Sequence, residues 1–332
     1  METAKTNWPN IGNEKAIEYL KEQVRGGQAA GTYIFLGPDD LGKSTIALAF
    51  ARNLMATSLE NDNSFNSDLH VVNIEEGKKT ISITQIRDLI KTLSLSSFLN
   101  SYKIGIIKKA GQLTVEAQNA LLKTLEEPKD KVITILLANS EDNLLPTILS
   151  RGQKLYFQPV DAETTYNYLI SEYGTKRTLA RDLANLSLGR PLRAVKFLND
   201  EAAYEKYLQK SKVLLPFLLL SLNKRIEGLS SVYHDKTYSA FAISTADELI
   251  ATFEGLWRDL LLLHYNNPEK IQHSALKKEL EKTLQALNEK GITNNKLAKY
   301  LLERFKLAAM AREYLKANVN PYTVLEQLVI NL

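Results

Sequence analysis

"FLGPDDLGKSTIAL" occupies Phe35 to Leu48. It continues a short apolar run, "TYIFL" (Thr32 to Leu36), and leads into a helical pattern, Ser44 to Met55. Gly37, Gly42, Lys43 and Ser44 meet the spacing G-x-x-x-x-G-K-[ST]. A strand, a glycine-bearing loop and a helix in this order cradle an anion. The loop amides converge, bulky side chains stay away, and the positive end of the helix dipole faces the same point. Lys43 adds a point charge and Ser44 a hydroxyl, with Thr45 next to it on the helix. Asp40 stands where a middle glycine is common. Aspartate tolerates left-handed backbone, so the loop shape survives while an acid is brought near the anion.

Outward from this stretch, four more apolar runs are rich in Ile, Val or aromatics with little polar alternation. They are "LHVVNI" (Leu69 to Ile74), "KIGII" (Lys103 to Ile107), "VITILLA" (Val132 to Ala138) and "KLYF" (Lys154 to Phe157). Such runs read as strands buried on both faces, as in a parallel sheet. Helical patterns at Ser44 to Met55, Thr84 to Leu93 and Thr114 to Glu126 separate them, which predicts an α/β layer fold over residues 1–160. From about Asp161 the strand signals stop. Residues 161–203 predict a small helical domain, with Gly174 and Gly189 at helix ends. Residues 204–332 predict a longer helical domain, in which Leu214, Leu218, Leu222 and Ile226 share one face. Leu297, Leu301, Phe305, Ala308 and the stem of Arg312 share another.

The chain has 332 residues, enough for two or three domains. No apolar run reaches 18 residues, which excludes a membrane-spanning helix. The first 20 residues carry an acid at position 2 and no long apolar core, unlike a signal peptide, so a cytoplasmic location is expected. There is no cysteine, which removes disulfides, thiolate zinc sites and cysteine nucleophiles. The net charge of +4 comes from 42 basic and 38 acidic residues; so even a mix permits contact with nucleic acid without arguing for it. His70, His234, His264 and His273 lack metal-ligand spacing and read as structural, and Trp8 and Trp257 read as packing residues.

A loop of this type that hydrolyses a nucleotide needs an acid at the end of a nearby strand to hold Mg2+, usually beside a second acid that polarises water. After "KIGII" the chain carries Lys108 and Lys109 instead. Ordinary lysines stay protonated at neutral pH and can do neither job.

The next residues, "AGQLTVEAQNALLKTLEEP" (Ala110 to Pro128), form an amphipathic helix pattern. Thr114 is its N-cap, Ala117, Ala120, Leu121 and Leu125 line its inward stripe, and Pro128 stops it. This string resembles the signature of bacterial DNA polymerase III clamp-loader subunits of the AAA+ class, the delta-prime and gamma/tau types. "IGNEKAIEYLKEQVRGGQAAGTYIFLGP", "ISITQIRDLIKTLS", "TILLANSEDNLLPTILSRGQKLYF", "LSLGRPLRAVKFL" and "ANVNPYTVLEQLVINL" extend the likeness over almost the whole chain. The resemblance implies a phosphate-loop AAA+ domain, a helical lid over 161–203 and a helical collar for oligomerisation over 204–332.

By the same resemblance, Ile11 and Gly12 lie near an adenine pocket. Gly37, Gly42, Lys43, Ser44 and Thr45 hold phosphate, and Asn139 or Ser140 is a polar sensor. Arg151, in "SRG" where the family has Ser-Arg-Cys, is an arginine finger that reaches a neighbour's ATP site. Leu192 falls at the second-sensor arginine position, with Arg190 and Arg193 flanking it. ATP is the expected ligand, held weakly or without hydrolysis; Mg2+ lacks its acids; no zinc is bound. Expected partners are delta and gamma/tau subunits in a hetero-pentamer, the sliding clamp indirectly, and primer–template DNA. The missing acids fit a delta-prime stator, with a gamma/tau-type ATPase as the alternative and a free-standing phosphate-loop kinase or GTPase as a third reading.

Overall fold

β1 (Thr32–Leu36) is buried at every position, and apolar but for Thr32, because it lies inside a sheet, with a helical layer on each side. The computed structural model describes residues 8–27, 29–56, 68–95, 102–292 and 295–332. The other strands are β2 (Leu69–Val72), β3 (Lys103–Ile107), β4 (Val132–Ala138) and β5 (Gln153–Tyr156). Their order is β2-β3-β4-β1-β5, and every pairing is parallel. This is the α/β layer with a parallel sheet that the apolar runs predict. β1, β3 and β4 are buried on both faces, as continuous apolar strands of a parallel sheet should be. β2 and β5 are not: they form the two edges, which leaves Val71 and Tyr156 exposed.

Helices in the first part are α1 (Glu14–Gly26), α2 (Lys43–Ala56), α3 (Ile83–Ser94), α4 (Val115–Glu126), α5 (Pro146–Leu149) and α6 (Ala162–Tyr173). Alternation along β1 divides its side chains between two cores. Ile34 and Leu36 join a cluster with Ile86, Leu89 and Leu93 of α3 and Ala117, Leu121 and Leu125 of α4. Tyr33 meets Phe50 of α2 edge to face, at 5.0 Å between centroids, and Trp8 packs on the same Phe50. α3 starts with a capping box between Ser82 and Gln85, and Thr114 caps α4 by accepting from the Ala117 amide.

The remaining helices are α7 (Arg177–Leu186), α8 (Pro191–Asn199), α9 (Glu201–Leu214), α10 (Leu222–Val232), α11 (Ala240–His264), α12 (Lys277–Glu289), α13 (Asn295–Lys316) and α14 (Pro321–Ile330). The chain forms two compact units. One is Met1–Tyr173 with Gly189–Arg193; the other is Gly174–Leu188 with Ala194–Leu332. Residues 161–203 contribute to both.

In the second unit the shared face of Leu214, Leu218, Leu222 and Ile226 is not observed. Pro216 lacks an amide donor and opens a 3-10 turn over Leu215–Leu218, and Ser221 precedes a new helix. Leu222 is therefore exposed, and Leu229 is the buried residue of α10. The α13 face is observed: Leu297, Leu301 and Ala308 are fully buried, and Phe305 packs on Trp257. Arg312 extends from it to Asp247 and Glu254 of α11. His273 is structural, bonded to Asp259 and Tyr207 at 2.8 Å each. Among the described residues, no helix is long and apolar enough to cross a membrane.

Candidate functional site

The loop between β1 and α2 has the shape its glycines require. Gly37 and Gly42 have φ of +145° and +87°. A Cβ on Gly37 would meet the Phe157 carbonyl oxygen at 2.2 Å, and one on Gly42 would meet Ile11 Cδ1 at 2.7 Å. Asp40 takes a left-handed φ of +66°, the conformation that a middle glycine would otherwise supply. Its carbonyl accepts from the Leu192 amide at 3.0 Å, which ties the start of α8 to the loop.

Lys43 is buried, and its ammonium turns inward. It donates to the Gly37 carbonyl and, at 2.7 Å, to the Pro38 carbonyl. Burial lowers its pKa below the ordinary lysine value; Asp39 and Asp40 oppose that shift, and Arg190 adds to it. Asn139, at the end of β4, donates from Nδ2 to Asp39 Oδ2 at 3.0 Å. The expected sensor residue and a loop acid thus hold each other. No local pattern marks Asp39 for this part, because only the fold sets it opposite Asn139.

A cavity of about 190 Å3 opens here, lined by Asp39, Asp40, Gly42, Lys43, Ser44 and Asn139 together with Lys108 and Lys109. Ile11, Gly12, Gly37 and Thr45 do not line it. Ile11 is fully buried against Gly42. Gly12 lies where a Cβ would meet Val160 Cγ1 at 2.4 Å. These residues shape the loop's surroundings from behind. A divalent cation would need an acid from the end of β3 beside the Ser44 hydroxyl. The end of β3 offers two ammonium groups there, and of the loop acids Asp39 is bonded to Asn139, so the residues do not fit the usual Mg2+ site. Among the described residues, no group of three or more His, Asp or Glu could hold a metal ion.

Arg151 belongs to a different place. It follows α5 and precedes β5, whose register sets Gln153 beside Tyr33 near the start of β1. The loop leaves the other end of β1. In a parallel sheet these are opposite ends of the strands, separated by four residues or about 13 Å. Its guanidinium pairs with Glu126 of α4 at 2.6 Å and donates to the Thr147 carbonyl at 2.7 Å. Sequence reasoning missed Glu126 in this role, and it missed Gln118. Gln118 is buried in α4, accepts from the Leu145 amide at 2.8 Å and donates to the Asn143 carbonyl at 3.1 Å. It thereby fixes the approach to α5 and Arg151. Gly152 is a contact requirement: a Cβ there would lie 2.5 Å from Ile34 Cγ1.

A family model described as DNA polymerase III, delta subunit, matches residues 12–161. DNA polymerase III subunit delta' of Bacillus subtilis is 27% identical over 331 residues, covering 96% of this chain and 95% of that protein. The delta' subunit of Haemophilus influenzae is 33% identical over 133 residues, 40% of each chain. The tau subunit of B. subtilis is 24% identical over 306 residues, covering 84% of this chain and 54% of tau. The match of residues 12–161 spans the loop, the lysine pair and Arg151, and a delta' relative aligns along nearly the full length. Over nearly its full length the chain is similar to a DNA polymerase III subunit delta'.

Proposed function

We propose that this protein is a clamp-loader subunit of DNA polymerase III that serves as a stator. It offers Arg151 to the ATP site of a neighbouring subunit and does not turn over ATP in its own loop. The observation that carries this reading is the separation of the two parts. Arg151 stands at the opposite end of the strands from Gly37–Ser44, so it can meet phosphate only on another chain. It is a permanent charge with a forked donor set suited to phosphate oxygens. The own loop has Lys108 and Lys109 where hydrolysis needs acids.

Arg151's present partner, Glu126, is exchangeable. Both side chains are partly exposed, and such pairs contribute about 0–1 kcal/mol. An incoming phosphate can displace it. Association with delta and gamma/tau subunits around primer–template DNA is proposed for the helical second unit. There an apolar groove of about 410 Å3 runs between α13 and α14, flanked by exposed Met310 and Tyr314.

The test is Arg151→Ala in the assembly reconstituted with its own delta and gamma/tau subunits. Removing an arginine finger costs about 1000-fold or more at the site it serves. ATPase of the assembly should fall while gel filtration shows the complex intact. Unchanged ATPase in an intact complex defeats the finger role. The gamma/tau motor reading is favoured by the tau match over 84% of this chain; it requires ATP turnover by this chain alone.

A further inference from the structure

We infer that Lys108 and Lys109 take the place of the divalent cation, so that the loop cavity binds a phosphate chain free of metal and Mg2+ weakens the binding. This deepens the proposed function and rests on its reading of the loop as non-hydrolysing.

The inference starts from what lines the cavity. Lys108 and Lys109 bring two ammonium groups to a space of about 190 Å3 that Asp39, Asp40 and Lys43 also line, the Lys43 ammonium being turned onto the Gly37 and Pro38 carbonyls. Among the described residues, neither Lys108 nor Lys109 has a side-chain hydrogen bond or ion pair. The backbone explains why both reach the cavity. Lys108 continues β3, its amide donating to the Val72 carbonyl at 2.9 Å. Lys109 then turns left-handed, at φ +53°, where the chain leaves the sheet for the turn before α4. Opposite them lie the Ser44 hydroxyl and the first-turn amides of α2, which have no intrahelical partners. Two free ammonium groups, a third held on the loop's own carbonyls, a hydroxyl and a helix N-terminus outnumber the two loop carboxylates, Asp39 and Asp40, around this cavity.

A phosphate chain carries the complementary charge. On a loop with acids, a metal ion bridges phosphate and protein because two anions would otherwise repel each other. Here the protein side is already cationic at those positions, and a metal ion there would face two ammonium groups. Mg2+ bound to the phosphates cancels charge that the lysines would neutralise. It therefore removes attraction instead of adding it. Asp39 now accepts from Asn139 in this space; an entering phosphate takes over that donor.

The test is titration calorimetry of the full chain with inorganic pyrophosphate and with ATP, each in EDTA and in excess Mg2+. Binding is expected in EDTA and about tenfold weaker in Mg2+. K108Q/K109Q should lose about tenfold in affinity in EDTA at an unchanged melting temperature. Similar binding of both probes identifies the phosphate chain as what is recognised. ATP binding alone, with the same Mg2+ penalty, assigns the site to a nucleotide. Tighter binding with Mg2+, indifference to K108Q/K109Q, or no binding of either probe overturns the inference. Turnover of Mg-ATP by the isolated chain would instead defeat the reading on which it rests.

Discussion

Arg151 and Tyr33 show how far a single side chain can be read. The guanidinium of Arg151 is held by Glu126 at the protein surface, with side-chain exposures of 32% and 48%. Glu126→Gln should change unfolding free energy by less than about 1 kcal/mol in urea. A loss well above that would make the pair a structural strut and not a displaceable partner. Tyr33 is buried in β1, and its hydroxyl accepts from the Ala30 amide at 2.9 Å. Burial pushes its pKa up to about 12. The folded value lies above the unfolded one, so its contribution is complete below about pH 10 and is lost as pH rises toward 12. Denaturation midpoints followed from pH 9 to about pH 12 should therefore fall, and fall less steeply in Tyr33→Phe. Equal slopes would show that the buried phenol does not govern this range.

At the scale of elements, α4 and β5 carry the logic of the site. α4 is legible as an amphipathic helix because Ala117, Leu121 and Leu125 recur on one face, and all three are buried. Gln118 was not legible: a polar residue beside the stripe normally faces water, and here it bonds the loop leading to α5. Gln118→Leu keeps the size but leaves buried backbone groups unpaired, at a cost of about 1–3 kcal/mol by urea denaturation. Wild-type stability would mean that water replaces the amide. β5 makes a second prediction. Gly152→Cys would make the Ser-Arg-Cys string of the resemblance, yet its Cβ would collide with Ile34 in β1. It should destabilise by about 1–3 kcal/mol through overpacking. A neutral or stabilising outcome would show that Ile34 moves aside freely.

For the whole molecule, the expected outcome is that the isolated chain shows no ATP turnover with Mg2+ and primer–template DNA. Phosphate release above background would favour the motor reading. Much of the architecture was visible before any coordinates. Unbroken apolar runs separated by helical periods dictate a parallel sheet, and the G-x-x-x-x-G-K-[ST] spacing places a loop at the end of its first strand. Periodicity misled where helices are interrupted. Leu214 to Ile226 keep a spacing of four across Pro216 and Ser221, but a shared face needs one unbroken hydrogen-bond ladder. By itself the amino-acid order determined the residue types available: cations where acids would hold a metal, and no thiol anywhere. Only the tertiary structure decided which groups meet. Asp39 faces Asn139, Lys43 turns onto its own loop, and Arg151 stands at the opposite end of the strands. The reason is physical: strand register and order bring together residues 100 or more positions apart, and no local pattern encodes such distances.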